Sequence, residues 1–145
     1  MDKFADILRD LIDDKELSLR KLAKESKVSA IQYSKYLRGS YPTIDVAVRI
    51  ANYFECTLDY LFGISDNNKK FKQESYDISK FLPRYLNLLK EHNTTHWKFA
   101  KSINISESCL RHWQYGDKPK IETLIHIAMN LSCSIDYLIG RIDFK

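Results

Sequence analysis

The chain is predicted to be all-α and built from two similar five-helix units, and three observations carry that prediction. First, the sequence matches itself at an offset of about 77 residues. Phe4 pairs with Phe81, Leu11 with Leu88, Ala23 with Ala100, Gly39 with Gly116, Pro42 with Pro119 and Cys56 with Cys133, and Asp59-Tyr60-Leu61 returns as Asp136-Tyr137-Leu138 without any insertion. Second, apolar residues recur at i, i+3 and i+4, the period of a helix with one buried face. Third, cap residues open those runs (Ser18, Ser29, Thr43, Thr57) and glycines close them (Gly39, Gly63).

The first helix spans about Lys3 to Asp14, with Phe4, Ile7, Leu8, Leu11 and Ile12 as its apolar face. Helices two and three lie in Leu17 to Gly39, LSLRKLAKESKVSAIQYSKYLRG. Ser18 caps the first of them, whose Leu22 and Ala23 face inward; Ser29 caps the second. Val28 is the apolar residue that pins the turn between them, and the small Ala23 lets the two helices approach closely. Gly39 suits the left-handed residue that commonly ends a helix. Helix four begins near Thr43, with Asp45 placed favourably against the helix dipole, and turns Ile44, Ala47, Ile50, Ala51 and Phe54 inward. Helix five is capped by Thr57, buries Leu58, Leu61 and Phe62, and stops at Gly63. Residues 1–66 form the first unit.

Residues 67–79 read as a linker, because periodicity lapses and polar residues dominate. Lys69, Lys70 and Lys72 there fit a phosphate backbone or a solvated charge run, and Phe71 and Tyr76 suggest that part of the stretch docks on a domain. Residues 80–145 form the second unit. Its first helix starts near Phe81, tolerates Pro83 in its first turn and packs through Tyr85, Leu88 and Leu89. Thr94 to Gly116, TTHWKFAKSINISESCLRHWQYG, repeats the paired helices, with Thr95 and Ser106 as caps, Phe99 and Ala100 inward and Ile105 as the pin. The fourth helix carries Ile121, Leu124, Ile125, Ala128 and Leu131 behind a poor cap, Lys120. Ser134 caps the fifth, which holds Ile135, Leu138 and Ile139 and ends at Gly140. The tail from Arg141 to Lys145 is too short to be a separate domain.

Two short helices joined by a tight apolar-pinned turn are the helix-turn-helix pattern, whose second helix enters the DNA major groove. Taken with Pro42, IAN at 50–52 and LDYLFG at 58–63, the stretch resembles the phage-repressor and Cro family, also called the xenobiotic-response-element type. The resemblance covers nearly the whole chain, twice. It implies two tandem five-helix λ-repressor-like helix-turn-helix domains that bind double-stranded DNA and regulate transcription, as in a repressor from a phage-like or mobile element.

By that resemblance the base-reading side chains lie at the start of the recognition helix and one turn on. In the first copy they are Ala30, Ile31, Gln32 and Lys35; in the second, Glu107, Ser108, Cys109 and His112. Gln32 suits adenine, Lys35 suits guanine or phosphate, and Ala30 or Ile31 suits a thymine methyl, while Glu107 suits cytosine. Tyr33 and Tyr36 follow the inward positions. The phosphate contacts fall to Arg20, Ser34, Arg38, Ser40 and Tyr41 in copy one, and to Trp97, Arg111, Tyr115, Lys118 and Lys120 in copy two. Both copies depart from the family where a glutamine opens helix two and grips a phosphate: Leu19 and His96 stand there instead.

Charge distribution agrees with a face for phosphates. Net charge is only +4, and residues 1–66 carry 10 basic and 11 acidic side chains. Yet the acids crowd into helix one (Asp2, Asp6, Asp10, Asp13, Asp14), while Arg20, Lys21, Lys24, Lys27, Lys35 and Arg38 crowd the helix-turn-helix against Glu25 alone. Three cysteines make no disulfide framework, no Cys-x-x-Cys pair occurs, and no metal site is expected. No carboxylate cluster, activated nucleophile or phosphate-binding glycine loop points to an enzyme, and no cofactor or membrane contact is expected. Without a signal or membrane segment the chain is expected to be cytoplasmic. The alternative keeps one or both units as protein-interaction modules, for dimerisation, a partner protein or an antirepressor role; exposure of Ile31 and Trp113 would favour it.

Overall fold

The structure, a computed structural model, describes residues 3–145; Asp2, counted above among the acids of the first helix, lies outside them. Among the described residues there are ten α-helices and no strand. The chain divides into two compact units, one ending at Glu74 and the other running Ser75–Lys145, so the division falls within the stretch 67–79.

In unit 1 the helices are α1 (Phe4–Lys15), α2 (Leu19–Ser26), α3 (Ala30–Leu37), α4 (Ile44–Tyr53) and α5 (Leu58–Leu61). α1 buries Phe4, Leu8 and Ile12, one residue per turn, and leaves Ile7 and Leu11 half-exposed at the stripe's edges. α4 is the central post: seven of its ten residues are buried, so its stability comes from enclosure. Thr43 stands at its N-cap with extended backbone, but its side chain makes no cap hydrogen bond, contrary to expectation. Ser18, Ser29 and Thr57 do cap, accepting from the N–H groups of Lys21, Gln32 and Tyr60 at 3.2, 3.1 and 3.0 Å. Ala23 and Phe54, expected inside, are half-buried. Phe4 closes the unit through rings 4.8 Å from Phe62 and 5.7 Å from Tyr41.

In unit 2 a single 3-10 turn, Ile78–Lys80, leads into α6 (Phe81–Glu91), α7 (His96–Ser102), α8 (Cys109–Gln114), α9 (Ile121–Asn130) and α10 (Ile135–Leu138). Pro83 sits third in α6, where its missing N–H would have no helical partner anyway. Thr95 and Ser134 cap α7 and α10, while Lys120 makes no side-chain cap. In α9 it is Ile127, rather than Ile125, that is fully enclosed. Trp113 packs edge to face against Phe81 and Tyr85, at 5.0 and 5.5 Å.

Helix ends repeat at the same offset as the sequence. Glu16, Lys27 and Glu55 have positive φ (54°, 61° and 54°), and so do Asn93, Asn104 and Ser132 (52°, 60° and 54°). Each costs on the order of 1 kcal/mol for a residue with a Cβ, and each lets a helix stop and turn within one residue. Gly39, Gly63, Gly116 and Gly140 are left-handed as well.

The stretch 67–79 is tied down at both ends. Phe71 donates its N–H to the Glu55 carbonyl at 3.0 Å, and the Asn52 carboxamide pairs with the Gln73 backbone at 2.9 and 3.1 Å. Lys70 lies 3.8 Å from Glu55 and Lys72 3.8 Å from Glu74. In unit 2 the Asp77 N–H bonds the Ile139 carbonyl at 3.0 Å. The C-terminal tail is also part of the fold: Arg141 forms a buried ion pair with Asp136 at 2.7 Å. Arg84 lies over the Tyr137 ring and donates to the carbonyls of Tyr137 and Ile142 and to Asp143. Hydrogen bonds from Lys80 and Arg84 hold the Asp143 carboxyl below its ordinary range.

Candidate nucleic-acid interface

The angle between α2 and α3 is set by a buried polar clasp. The Tyr33 hydroxyl, fully enclosed, donates to Ser26 Oγ at 2.7 Å, and Ser26 donates to the Leu22 carbonyl at 2.8 Å. Burial raises the Tyr33 pKa to about 12, so the phenol stays a donor at any physiological pH. Val28 is buried beneath the turn and Lys27 makes it with positive φ. From outside, Arg9 donates to the Leu37 carbonyl at the end of α3 and Arg49 to the Lys27 carbonyl at the end of α2, both at 3.3 Å. Ser26, Arg9 and Arg49 did not stand out in the sequence, because their bonds with Tyr33, Leu37 and Lys27 join residues from different helices.

With Tyr33 and Tyr36 turned into the core, α3 offers its other face to solvent. Ile31 is 70% exposed and Lys35 is exposed, whereas Ala30 and Ser34 are half-buried. Gln32 is half-buried and engaged in a capping box: its Oε1 accepts from Ser29 N–H and from Ser29 Oγ, each at 3.1 Å. Arg20, Lys21, Lys24, Lys27, Lys35, Arg38 and Ser40 are all exposed. Glu25, the single acid among them, accepts from the Tyr53 hydroxyl at 2.7 Å. Burial first, and then this carboxylate, raise Tyr53 to about 12. Tyr41, expected at a phosphate, instead lays its ring on Phe4 and is half-buried.

Unit 2 corrects the expectation for its recognition helix. Ser106 does not cap it: the Ser106 hydroxyl pairs with Ser108 Oγ at 2.7 Å, and α8 begins only at Cys109. Glu107 and Ser108 therefore lie in a turn before the helix, closed by a Cys109 N–H to Ser106 carbonyl bond of 3.1 Å. The reason is chemical. A capping box needs a side-chain acceptor three residues on; Gln32 supplies it in unit 1, and Cys109 at the matching position does not. Ile105 is accordingly only half-buried, unlike Val28.

His96 is also displaced from its expected role. Its Nδ1 lies 2.7 Å from the Tyr85 hydroxyl and its Nε2 2.9 Å from the Glu107 carbonyl, so both ring nitrogens are engaged inside the unit. Leu19 at the matching place is half-buried and apolar. Neither copy opens this helix with a phosphate clamp.

Most of the remaining candidate residues of unit 2 face solvent. Trp97 is 55% exposed with Lys101 over its ring at 5.1 Å, and Tyr115 is 82% exposed. Arg111, Lys118 and Lys120 are exposed, Lys118 reaching the Tyr76 hydroxyl at 3.5 Å. His112 lies 3.3 Å from Asp117. Cys109 is half-buried, with its thiol pKa raised by that burial. Trp113 is buried and Ile31 is not. Among the described residues, no group of three or more His, Cys, Asp or Glu is placed to hold a metal ion, and no helix is long and apolar enough to cross a membrane.

A helix-turn-helix family model of the Cro and C1 type matches residues 8–61, from the middle of α1 to the end of α5. That family suggests a DNA-binding regulator of transcription. No curated protein and no solved structure matches the chain.

Proposed function

We propose that this chain is a sequence-specific regulator of transcription that binds double-stranded DNA with α3 of unit 1 in the major groove. The observation that carries the reading is the exposed α2–α3 face. Five further exposed cations share the α2–α3 stretch with Ile31 and Lys35, and the only acid in the stretch is held by Tyr53. A rigid clasp beneath that face holds α3 at a fixed angle, as base reading requires. Family resemblance adds the finer reading: two tandem helix-turn-helix domains acting as a repressor from a phage-like or mobile element. We take the chain to be cytoplasmic and without enzymatic activity or cofactor. Arg20, Ser34, Arg38 and Ser40 in unit 1, and Arg111, Lys118 and Lys120 in unit 2, are the proposed phosphate contacts.

A second reading, that unit 2 serves a protein contact, is favoured by one observation. Trp97 and Tyr115, exposed aromatics, stand where unit 1 has Arg20 and Arg38. Salt-titrated DNA binding by the full chain tests both readings. Phosphate neutralisation predicts that log K falls linearly with log salt; binding that ignores salt refutes the DNA reading. Trp97→Arg with Tyr115→Arg steepens the slope by about two units if unit 2 lies on DNA, and leaves it unchanged if unit 2 faces a protein.

A further inference from the structure

The capping box at the start of α3 bears on which side chain reads the operator. An adenine is recognised by a glutamine in two bonds at once: the amide oxygen accepts from N6 and the amide nitrogen donates to N7. An sp² oxygen has two lone pairs. On Gln32 both are taken, one by Ser29 N–H and one by Ser29 Oγ, each at 3.1 Å, while Nε2 lies 3.5 Å from the Tyr36 hydroxyl. To read adenine, Gln32 would have to release the cap that starts its own helix. With its oxygen held, it has only an N–H to offer, and purine N7 accepts that from adenine and guanine alike.

The side chains left free on that face are Ile31 and Lys35, four residues apart and therefore on one side of α3. Ile31 has neither donor nor acceptor, is 70% exposed, and sits on the second residue of a helix whose first turn is fixed by the cap. The one apolar group on a major-groove edge is the thymine C5-methyl. The rise between the two residues is roughly 6 Å, about two base-pair steps at 3.4 Å each. Lys35 can meet guanine O6 and N7 at that distance.

We infer that Ile31 is the specificity-determining residue of unit 1, reading a thymine methyl, and that Gln32 is a positioning residue that holds the helix start. This rests on the DNA-binding reading above. The test begins by selecting the preferred site of the full chain from random DNA. Uracil, which lacks the methyl, then replaces each thymine of that site in turn. One position should lose about three- to tenfold in affinity for the wild type, the scale of burying a single methyl-sized apolar group. Ile31→Ala should bind the thymine and uracil forms of that position equally. Gln32→Glu keeps two acceptor oxygens for Ser29 but lacks the amide donor, so it should weaken binding to all sequences together and select the same site.

Loss of an adenine preference in the Gln32→Glu selection would overturn the assignment, since Gln32 would then be a reader. A thymine-to-uracil loss that survives Ile31→Ala, or the absence of any methyl-sensitive position, would overturn it too. Wild type that selects no DNA at all refutes the DNA-binding reading itself, an outcome distinct from these.

Discussion

Tyr33→Phe removes a single oxygen from the clasp beneath the proposed DNA-binding face. The wild-type phenol is fully enclosed and donates to Ser26 at 2.7 Å, and Ser26 is itself only 6% exposed. The variant leaves Ser26 Oγ without that donor in a place where water has little access. The expected cost is about 1–2 kcal/mol, which for a unit of this size lowers the melting temperature by roughly 5–15 °C. Ser26→Ala alone should cost a similar amount by stranding the phenol. The double variant should cost much less than the sum, giving a coupling of about 1 kcal/mol or more. A pH signature accompanies the loss. The unfolded phenol ionises near its ordinary value of 10, whereas the folded one holds its proton to about 12. The folded state therefore binds more protons between those values, so this contribution is complete below pH 10 and is lost as pH rises to 12. It amounts to at most about 3 kcal/mol. Tyr33→Phe should flatten the alkaline fall in stability without abolishing it, because Tyr53 and Tyr85 are raised as well. Urea unfolding followed by circular dichroism at pH 7 and across pH 9–12 measures each quantity. Additive single-variant costs, or an alkaline slope unchanged in Tyr33→Phe, would refute the clasp.

Three further outcomes are expected. Arg38→Ala should weaken binding to every DNA sequence and reduce the salt slope by about one unit; an unchanged slope removes Arg38 from the contacts. Replacing Gly140 by Ala should destabilise unit 2 more than replacing Gly116, since an added Cβ meets the Asp77 backbone at Gly140 and open space at Gly116, both at positive φ. Thermal melts should show about 1 kcal/mol for Gly116→Ala and clearly more for Gly140→Ala. Cys109 should react with a thiol reagent in the native protein before Cys56 and Cys133, which are 3% and 8% exposed and should label only as the fold opens.

What the sequence revealed was local. Phe4, Leu8 and Ile12 repeat within one helix, and Ser18, Ser29, Thr57 and Ser134 cap the turn just after them. Such patterns are complete within four residues, so they can be read from the chain. The left-handed helix ends at Glu16, Lys27 and Glu55 were hidden because nothing in those side chains announces positive φ; the glycines announced theirs. The clasp, the His96 bridge and the Arg141–Asp136 pair were hidden for another reason. The first two join groups whose meeting depends on how helices pack, and Arg141, only five residues from Asp136, lies in a tail that looked incidental. The late start of α8 was within reach: Ser106 matches Ser29, but the partner that completes the box, Gln32, has become Cys109.

Between the two units, many inward positions are buried alike, while several outward ones change in charge. Phe4 and Phe81, Ala51 and Ala128, and Leu58 and Ile135 are buried alike. On the open face, by contrast, Arg20 becomes Trp97, Ala30 becomes Glu107, Lys35 becomes His112, Arg38 becomes Tyr115 and Ser40 becomes Asp117. Cations are not simply lost, since Arg111, Lys118 and Lys120 appear where unit 1 has Ser34, Tyr41 and Thr43. Arg20 is lost at the start of the second helix while Lys21 and Lys24 return as Lys98 and Lys101, new cations enter the third helix and the loop after it, and two acids enter near them. A phosphate backbone that fits unit 1 would thus meet carboxylates on unit 2, at Glu107 and Asp117. If both units bind one duplex, the covalent tether matters, because an effective concentration in the millimolar range lets a weak second half-site contribute once the first is held. The operator should then be asymmetric, with its stronger half under Ile31 and Lys35. A symmetric operator would instead require unit 1 from two chains, leaving the aromatic face of unit 2 for the contact between them.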